Sequence, residues 1–399
     1  MRSFTVGSAL GIPIRVDLTF LLVLPVLAWL IGSEVGRFVT GLNRVLGTNL
    51  NVTALTAGST PFVLGAIAAV GLFAAVVLHE LGHSVVAMRF GVAIESITLW
   101  FLGGVAQLAE MPEDWKQEFA VAIAGPVVSI ALGVLSFGAF LLVPSEGFSA
   151  VRFVLGYLAA MNIALAGFNL LPGFPMDGGR VLRALLARNR PYAQATQTAA
   201  RVGQLFAVLL GLVGLINFNI FWIAIAFFIY MGAASETQQT TMKAAFEGVL
   251  VRDIMTPAEQ VRSVTADTSV AELLDRMFRE RHTGYPVFEE DRLVGIVTLS
   301  DARNVKEVER DAYRVEEVMT EDVMTTATSS EAMTAMNTMQ GAGVGRLPVF
   351  DGNGEFAGLI SRTDLMTALN IIQSSGSIEN ASDISRDTSR RPDPEEAPR

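Results

Sequence analysis

Long stretches of uncharged apolar residues constrain this chain more than any other feature of its sequence. Three of them, residues 61–78, 119–143 and 202–234, run for 18, 25 and 33 residues without a charged side chain. The hydrocarbon core of a bilayer is about 30 Å thick, so an α-helix needs roughly 20 apolar residues to cross it. The first part of the chain is therefore predicted to be a polytopic α-helical membrane protein.

The shorter apolar segments complete the set of spans. Residues 18–31 predict a first span and residues 153–171 a fourth, and residues 34–60 predict a polar connector after the first. Residues 202–234 are too many for one helix, so we divide them at residues 217–219 into a fifth and a sixth span. The sequence thus predicts about six transmembrane helices, with both chain termini on one side of the membrane.

The distribution of arginine predicts which side that is. The connector after the fourth span carries Arg180, Arg183, Arg188, Arg190 and Arg201. Cytoplasmic connectors of membrane proteins are enriched in Lys and Arg. We therefore expect a multi-pass protein of the cell membrane, with its N terminus, this connector and its C-terminal part in the cytoplasm.

Two segments outside the predicted helices are typical of extended backbone. Residues 3–16 alternate loosely between apolar and polar side chains. Residues 96–107 are apolar and β-prone, are interrupted by Gly103 and Gly104, and are too short to cross a bilayer as a helix. They predict a short re-entrant β-hairpin, the alternative being an interfacial loop. A strand edge there would let an extended peptide add to it by backbone pairing.

The end of the second span carries a short motif that is typical of metal binding. His79, Glu80 and His83 form the sequence His-Glu-Leu-Gly-His directly after the uncharged stretch that ends at Leu78. On a helix the i, i+4 spacing places both imidazoles on one face, where they can share a divalent metal ion, with the glutamate beside them as a general base. A charged Glu in an apolar span also marks a functional site by its cost in hydrocarbon.

A third protein ligand is needed for a catalytic zinc site. The chain has no cysteine, and its third histidine, His282, lies far away in a more polar region, so the ligand is expected to be a carboxylate. Asp177 is the best candidate because two prolines and several glycines interrupt the helix around it, just past the fourth span. The alternative role for Asp177 is that of an N-cap for a helix at residues 178–185. The rival carboxylates are Asp17, Glu95 and Glu110.

The composition changes to that of a soluble α/β protein near residue 246. Two units repeat at an offset of about 63 residues, which we place at 246–308 and 309–373, after a membrane domain at 1–245. Such units are expected to bury one shared core that neither completes alone. The tail at 374–399 is rich in Ser, Asp, Pro and Arg and is expected to be disordered. A net charge of −10 argues against a nucleic-acid-binding protein.

These motifs resemble those of the site-2 protease family, intramembrane zinc metalloproteases of peptidase family M50, in the six-span form that ends in a pair of cystathionine β-synthase-type (CBS) domains. The resemblance implies that His79, His83 and Asp177 hold one catalytic Zn²⁺ and that Glu80 is the base. It implies that Asn169 contacts the substrate or the developing oxyanion. Gly103 and Gly104 fall near the family's glycine-containing hairpin, which implies a role in substrate binding.

The resemblance also implies functions for partners and for the repeats. The substrate would be a transmembrane protein in the lipid bilayer, cut within or near its membrane segment in regulated intramembrane proteolysis. The CBS pair would bind an adenine nucleotide and mediate a homodimer. The nucleotide-binding residues would be Thr298, Asp301, Ser361 and Asp364, with phosphate charge met by Arg303, Arg346 and Arg362.

Two other functions fit six spans and a buried charge. A CBS-regulated metal-ion transporter would use His79 and His83 to bind its cargo, but it has no role for Glu80. A proteolytically inert membrane sensor would retain the site only as structure, although all four chemical positions are intact. Replacing Glu80 with Gln distinguishes the protease from the transporter, because only the protease needs that carboxylate.

Overall fold

The computed structural model describes residues 3–100, 103–108, 114–290 and 292–375. The chain divides into two compact units at residue 240. The helices that begin in the first unit are α1 (Leu18–Leu46), α2 (Val52–Thr56), α3 (Thr60–Arg89), α4 (Trp115–Leu142), α5 (Ser149–Asn169), α6 (Asp177–Ala187), α7 (Tyr192–Ile216) and α8 (Ile220–Ala245). In the described ranges six of them, α1, α3, α4, α5, α7 and α8, are long and apolar enough to cross a membrane, which confirms the predicted spans and the division at residues 217–219.

The first helix is longer than the sequence predicts. A span at 18–31 and a polar connector at 34–60 were expected, but α1 continues to Leu46 and the rest of the connector contains α2. Arg37 pairs with Glu34 along the helix surface at 3.2 Å, while Val35 and Val39 are completely buried. Burial of one helix face therefore extends α1 through a segment whose charges suggested a loop.

A four-stranded sheet accompanies the helices of the first unit. Its strands are β1 (Ser3–Ala9), β2 (Ile12–Asp17), β3 (Ile94–Trp100) and β4 (Gly103–Leu108), in the order β1-β2-β3-β4. The predicted hairpin is confirmed as β3 and β4, and residues 3–16 form a second hairpin whose strand β2 runs parallel to β3. Among the described strands, β1 and β4 are the two edges of the sheet. One side of β4 pairs with β3, and no described strand lies on its other side, the outer edge. Val16 and Leu99 pack with Phe20 of α1, which joins the sheet to the helices.

The packing of α4 determines where the functional groups meet. This helix packs against α3, α5 and α6, and it buries small residues along the contacts. The helix α6 is short and lies outside the six apolar spans. It is preceded by a turn containing Gly173, whose backbone approaches that of Gly203 on α7 so closely that a Cβ at residue 173 would overlap Gly203 Cα. Glycine at these two positions lets the turn and α7 pack backbone to backbone.

The second unit contains two α/β repeats. Its helices are α9 (Val251–Ile254), α10 (Val270–Glu280), α11 (Leu299–Arg303), α12 (Ala332–Gly341) and α13 (Arg362–Ser375). Its strands are β5 (Thr256–Pro257), β6 (Val264–Thr265), β7 (Gly284–Glu289), β8 (Arg292–Thr298), β9 (Thr326–Ala327), β10 (Arg346–Phe350) and β11 (Phe356–Ser361). They form one sheet in the order β6-β7-β8 and another in the order β5-β11-β10-β9.

The repeats exchange their leading segments. Thr256, in the leading segment of the first repeat, pairs with Leu359 in the sheet of the second, and Thr320 pairs with Ile296 in the sheet of the first. The expectation of one shared core is wrong in this respect, because the described part of the unit has two core clusters. Each cluster includes residues from the other repeat's leading segment, Phe246 in one and Val315 in the other. Both exchanged segments contain the dipeptide Met-Thr, at residues 255–256 and 319–320.

Candidate metal centre

Three buried side chains from two helices converge on one point in the first unit. Asp177 Oδ2 lies 3.1 Å from His79 Nε2 and 3.2 Å from His83 Nε2, and the two Nε2 atoms are 3.2 Å apart. The histidines lie on α3 and Asp177 is the first residue of α6. Among the residues that the structure describes, this is the group of His and acidic side chains that can hold a metal ion.

The outer nitrogens of the two imidazoles are fixed by α4. His83 Nδ1 lies 2.7 Å from the carbonyl oxygen of Val121, and His79 Nδ1 lies 2.8 Å from Ser129 Oγ. A carbonyl can only accept, so His83 Nδ1 carries a proton. In the neutral form of the ring the lone pair is then on Nε2, the nitrogen that faces the shared point. Partners on the outer nitrogens are a common feature of metal-binding histidines.

The spacing of the three atoms fits a tetrahedral cation. With ligand bonds of about 2.0–2.1 Å, the ligands of a tetrahedral zinc ion are about 3.3 Å apart, close to the separations found here. A carboxylate oxygen and two nitrogen lone pairs this close repel one another unless a proton or a cation lies between them. The site also has room, because α4 presents Gly125 at this point, where a Cβ would overlap His83 Nε2 and lie 2.6 Å from His79 Nε2.

The other residues that could supply the third ligand lie elsewhere or act differently. Asp177 does not cap α6, because the cap position is Met176 and no side-chain cap bond forms there. Asp17 caps α1 by accepting hydrogen bonds from the backbone N–H and the hydroxyl of Thr19. Glu95 is exposed on β3, and Glu110 lies outside the described residues. His282 packs its ring against Tyr285 in the second unit.

Glu80 lies between the candidate metal ligands and the hairpin. Its Oε2 accepts a hydrogen bond from the backbone N–H of Ala106 on β4 at 3.3 Å. The backbone of Gly104 also approaches it, since a Cβ at that residue would lie 2.8 Å from Glu80 Cγ and 3.1 Å from Val76 Cγ1. Gly103 begins the same strand with φ of +134°, a conformation that favours glycine. The glycine pair thus lets β4 pass directly beside the carboxylate.

Asn169 is the last residue of α5 and is partly buried. It precedes the loop that leads to Asp177, whose backbone packs tightly. A Cβ at Gly178 would overlap the carbonyl oxygen of Leu171. The position of Asn169 is therefore fixed by the end of one helix and the start of the next.

In the second unit the four proposed nucleotide-binding residues are paired with each other. Thr298 donates from its backbone N–H and from its hydroxyl to Asp301 Oδ2, at 2.8 and 2.7 Å, where α11 begins. Ser361 donates to Asp364 Oδ2 in the same way, at 2.8 Å in both bonds, where α13 begins. These side chains act as helix caps in the structure, which is one physical reason for the motif.

The arginines expected beside a phosphate have different surroundings. Arg346 donates to the carbonyl oxygen of Gly284 and, at 2.9 Å, to Thr283 Oγ1, so it joins the two repeats. Burial lowers the pKa of Arg346. Arg362 donates to the carbonyl oxygen of Met339 at 3.2 Å. Arg303 is exposed at the end of α11.

Sequence reasoning missed the groups that surround the metal ligands. Ser129, Val121 and Gly125 lie within an uncharged span and give no signal of their own. A buried ionic cluster of Glu118, Arg183 and Glu236 was missed as well. Glu118 directly precedes the apolar stretch 119–143, and Glu236 lies two residues after the stretch 202–234. These positions are a signal that sequence reasoning could have used.

Comparison with known proteins supplies the family of both units. The model of peptidase family M50 matches residues 67–152 and 145–210, and the CBS domain model matches residues 251–307 and 315–371. A zinc metalloprotease of Methanocaldococcus jannaschii is 35% identical over 369 residues, which cover 91% of this chain and 95% of that protein. Rip3 of Mycobacterium tuberculosis is 37% identical over 299 residues, covering 70% and 75%. The solved site-2 protease from Methanocaldococcus jannaschii is 35% identical, covers 59% of this chain and 95% of that chain, and gives a TM-score of 0.41.

Proposed function

The chain belongs to peptidase family M50 and is a zinc metalloprotease with a CBS domain pair, and we propose that it cuts transmembrane proteins within or near their membrane segments. The active groups lie at the end of an apolar helix that is long enough to cross a bilayer. A protease with its site on such a helix can act on peptide bonds that lie in the membrane. This is regulated intramembrane proteolysis.

The observation that carries the proposal is the convergence of His79, His83 and Asp177 around one point beside Glu80. These three side chains are the proposed ligands of one zinc ion. When bound there, zinc supplies a Lewis acid that lowers the pKa of water toward neutrality and polarises the scissile carbonyl. The ring orientations set by Val121 and Ser129 keep the imidazoles ready for this role.

Glu80 is the proposed general base. Its carboxylate takes a proton from the attacking water and later delivers a proton to the leaving amine. The hydrogen bond from the Ala106 N–H to Oε2 holds this carboxylate in place. Asn169 is proposed to donate a hydrogen bond to the developing oxyanion, a contribution that reaches about 3 kcal/mol in other enzymes.

The substrate is proposed to bind as a strand along β4. A transmembrane helix hides its backbone amides, so the segment to be cut has to unwind before its bond can react. The outer edge of β4 can hold such a segment extended by backbone pairing. Because Ala106 of β4 already bonds Glu80, a strand added there would lie next to the base. Gly103 and Gly104, the first two residues of β4, have no side chains that would obstruct a strand pairing with this edge.

The sides of the membrane follow from the charges. With the arginine-rich connector in the cytoplasm, α3 runs inward, so His79 and His83 lie toward the cytoplasmic leaflet. Water then reaches the site from the cytoplasm. The N terminus and the CBS pair are proposed to be cytoplasmic too, which protease protection of sealed vesicles would test.

The CBS pair is proposed to bind an adenine nucleotide and to bias access to the membrane site. Thr298 with Asp301, and Ser361 with Asp364, would hold its ribose and phosphates, and the pair would also support a homodimer. Titration of the full-length protein with AMP, ADP and ATP should change both its thermal unfolding and its cleavage rate. A cleavage rate that is the same at every nucleotide concentration would contradict regulation, and mass photometry would report the dimer.

The experiment for the protease itself uses the protein in liposomes with candidate single-span membrane proteins. The wild type should produce fragments whose new ends, located by mass spectrometry, fall within or near the membrane segment. Glu80→Gln should bind as much zinc and produce no such fragments. Cleavage by Glu80→Gln, or cuts confined to soluble regions of every substrate, would refute the proposal. A Glu80→Gln protein that moves metal ions across the membrane would favour the transporter.

A further inference from the structure

A second polar cluster lies on the helix that carries Asp177. Arg183, six residues further along α6, is 1% exposed and points into the protein. Its Nε donates to Glu118 Oε1 on α4 at 2.6 Å, and its Nη2 lies 2.5 Å from the same oxygen. Its Nη1 donates to Glu236 Oε1 on α8 at 2.5 Å. The guanidinium also lies 4.9 Å from the ring centroid of Phe174 and 4.8 Å from that of Tyr192.

The cluster gives directional contacts to a short helix that otherwise packs through apolar side chains at that end. The helix α6 has only 11 residues and is not one of the six spans. Its first turn is fixed by close backbone packing, in which a Cβ at Gly179 would lie 2.5 Å from the Gly173 carbonyl carbon. Its second half is held by the contacts of Arg183 and by the packing of Leu182 and the buried Ala184. A planar guanidinium that bonds two carboxylates and lies over two rings fixes direction as well as distance.

The partner helix α4 also holds the other half of the metal centre. Glu118 lies one turn before Val121, whose carbonyl accepts from His83, and three turns before Ser129, which bonds His79. The helix α4 therefore contacts the histidines through Val121 and Ser129, and it contacts α6, the helix of Asp177, through Glu118 in its first turn. The distance between Asp177 and the two imidazoles depends on both sets of contacts.

The cost of burial favours a specific role. Glu118 is completely buried, and within the described residues its Oε2 has no hydrogen-bond partner. Buried ion pairs gain little stability over apolar packing, because desolvation offsets their attraction, so they are weak stabilisers of a fold. Their directional bonds are better suited to fixing one arrangement of helices.

We propose that Arg183 is a positioning residue for the metal centre, which holds the carboxylate of Asp177 at bonding distance from a cation shared with His79 and His83. It acts through its bonds to Glu118 and Glu236 and does not touch the metal. This inference rests on the proposed metal ligands.

The test measures metal binding separately from cleavage. In the full-length protein, Arg183→Met should weaken zinc affinity by about 10–100-fold in chelator competition, the range typical of residues that orient metal ligands. The visible spectrum of the Co²⁺-loaded protein should also change, because it reports coordination geometry. Glu118→Gln should have the same effects, and Glu236→Gln a smaller one, because the Glu236 side chain is 28% exposed.

Arg152 provides the matched control. It is also a buried arginine over a phenylalanine ring, 4.5 Å from the centroid of Phe140, but it lies at the other end of α5 from Asn169. Arg152→Met is expected to lower thermal stability while leaving zinc affinity and the Co²⁺ spectrum unchanged. Arg183→Lys keeps the positive charge but lacks the planar set of guanidinium donors. It is expected to retain part of the zinc affinity that Arg183→Met loses.

Two results would overturn the inference. One is wild-type zinc affinity and Co²⁺ spectrum in Arg183→Met. The other, which applies if Arg183→Met does not fold, is wild-type behaviour of both Glu118→Gln and Arg183→Lys. If the wild type itself binds neither Zn²⁺ nor Co²⁺, the proposed metal ligands are wrong. If the wild type binds both ions and the variants bind them equally well, only the role of Arg183 is wrong.

Discussion

The two units of the molecule use polar side chains in different ways. In the membrane unit, His79 and Asp177 are 98 residues apart in sequence and 3.1 Å apart in space, and the site does not contribute to any helix cap. In the CBS pair, Thr298 and Asp301 are three residues apart and satisfy each other where a helix begins. Local structure explains the second pairing, whereas in the first it explains only the spacing of His79 and His83 on α3 and not their meeting with Asp177. Long-range convergence is therefore the stronger sign of a site.

The largest effect should come from comparing histidines in the two units. His79→Ala is expected to lose zinc and all measurable cleavage, exceeding the roughly 10–100-fold losses that follow removal of a residue that only orients a ligand. His282→Ala should keep one zinc ion per chain and the wild-type rate. Metal analysis and cleavage assays would check both variants. Equal losses in the two would break the contrast between the units.

A methyl group placed in the metal centre should have the next largest effect. In Gly125→Ala the new Cβ would lie within 2.6 Å of both Nε2 atoms, so zinc affinity should fall by about 10–100-fold. Gly138→Ala, on the same helix with no neighbour within 4 Å, is the control and should bind zinc normally. Chelator competition measures both. Normal affinity in Gly125→Ala would place the metal elsewhere.

A third substitution separates the hairpin from the metal. Gly104→Ala would press a Cβ against Glu80 and displace the base, and misplacement by about 1 Å can cost 100-fold in rate. We expect slower cleavage with full zinc content. Gly7→Ala, on β1 with open space around it, should cleave at the wild-type rate. An unchanged rate in Gly104→Ala would show that β4 does not position the base.

The smallest effect is expected in the CBS pair. Thr298→Ala removes the hydroxyl bond to Asp301, and loss of such a cap costs about 1 kcal/mol of local stability. Hydrogen exchange followed by mass spectrometry should report faster exchange in α11, with α13 as the internal reference. Zinc content should stay at the wild-type level. Loss of zinc in Thr298→Ala would contradict this prediction, because it would mean that a change in the CBS pair alters metal binding in the membrane unit.

Much of the membrane fold could be predicted because hydrocarbon allows few solutions. Apolar length alone located the six helices, and Asn217 to Asn219 marked the turn between the last two. The length of α1 could not be predicted, because burial of Val35 and Val39 depends on helices distant in sequence. The pairing of β2 with β3 was missed for the same reason, since strand partners leave no local signal.

The metal-ligating residues of the candidate site could be predicted from their spacing in the sequence. The residues that reach the site only through helix packing could not. The i, i+4 histidines and the carboxylate between glycines and prolines predict His79, His83 and Asp177 from the sequence alone. Gly125 and Ser129 look like ordinary span residues, and only the folded helix pair brings them to the imidazoles. In the second unit the repeat was clear, but the exchange of Thr256 and Thr320 between sheets was not.

The most direct test of the central claim is zinc-edge X-ray absorption of the full-length protein loaded with one zinc ion per chain. The wild type should give two imidazole nitrogens and a carboxylate oxygen at about 2.0–2.1 Å. Asp177→Ala should lose the protein oxygen while keeping both imidazoles. A wild-type spectrum without two imidazoles, or one that Asp177→Ala leaves unchanged, would contradict the claim that these three side chains share one catalytic ion.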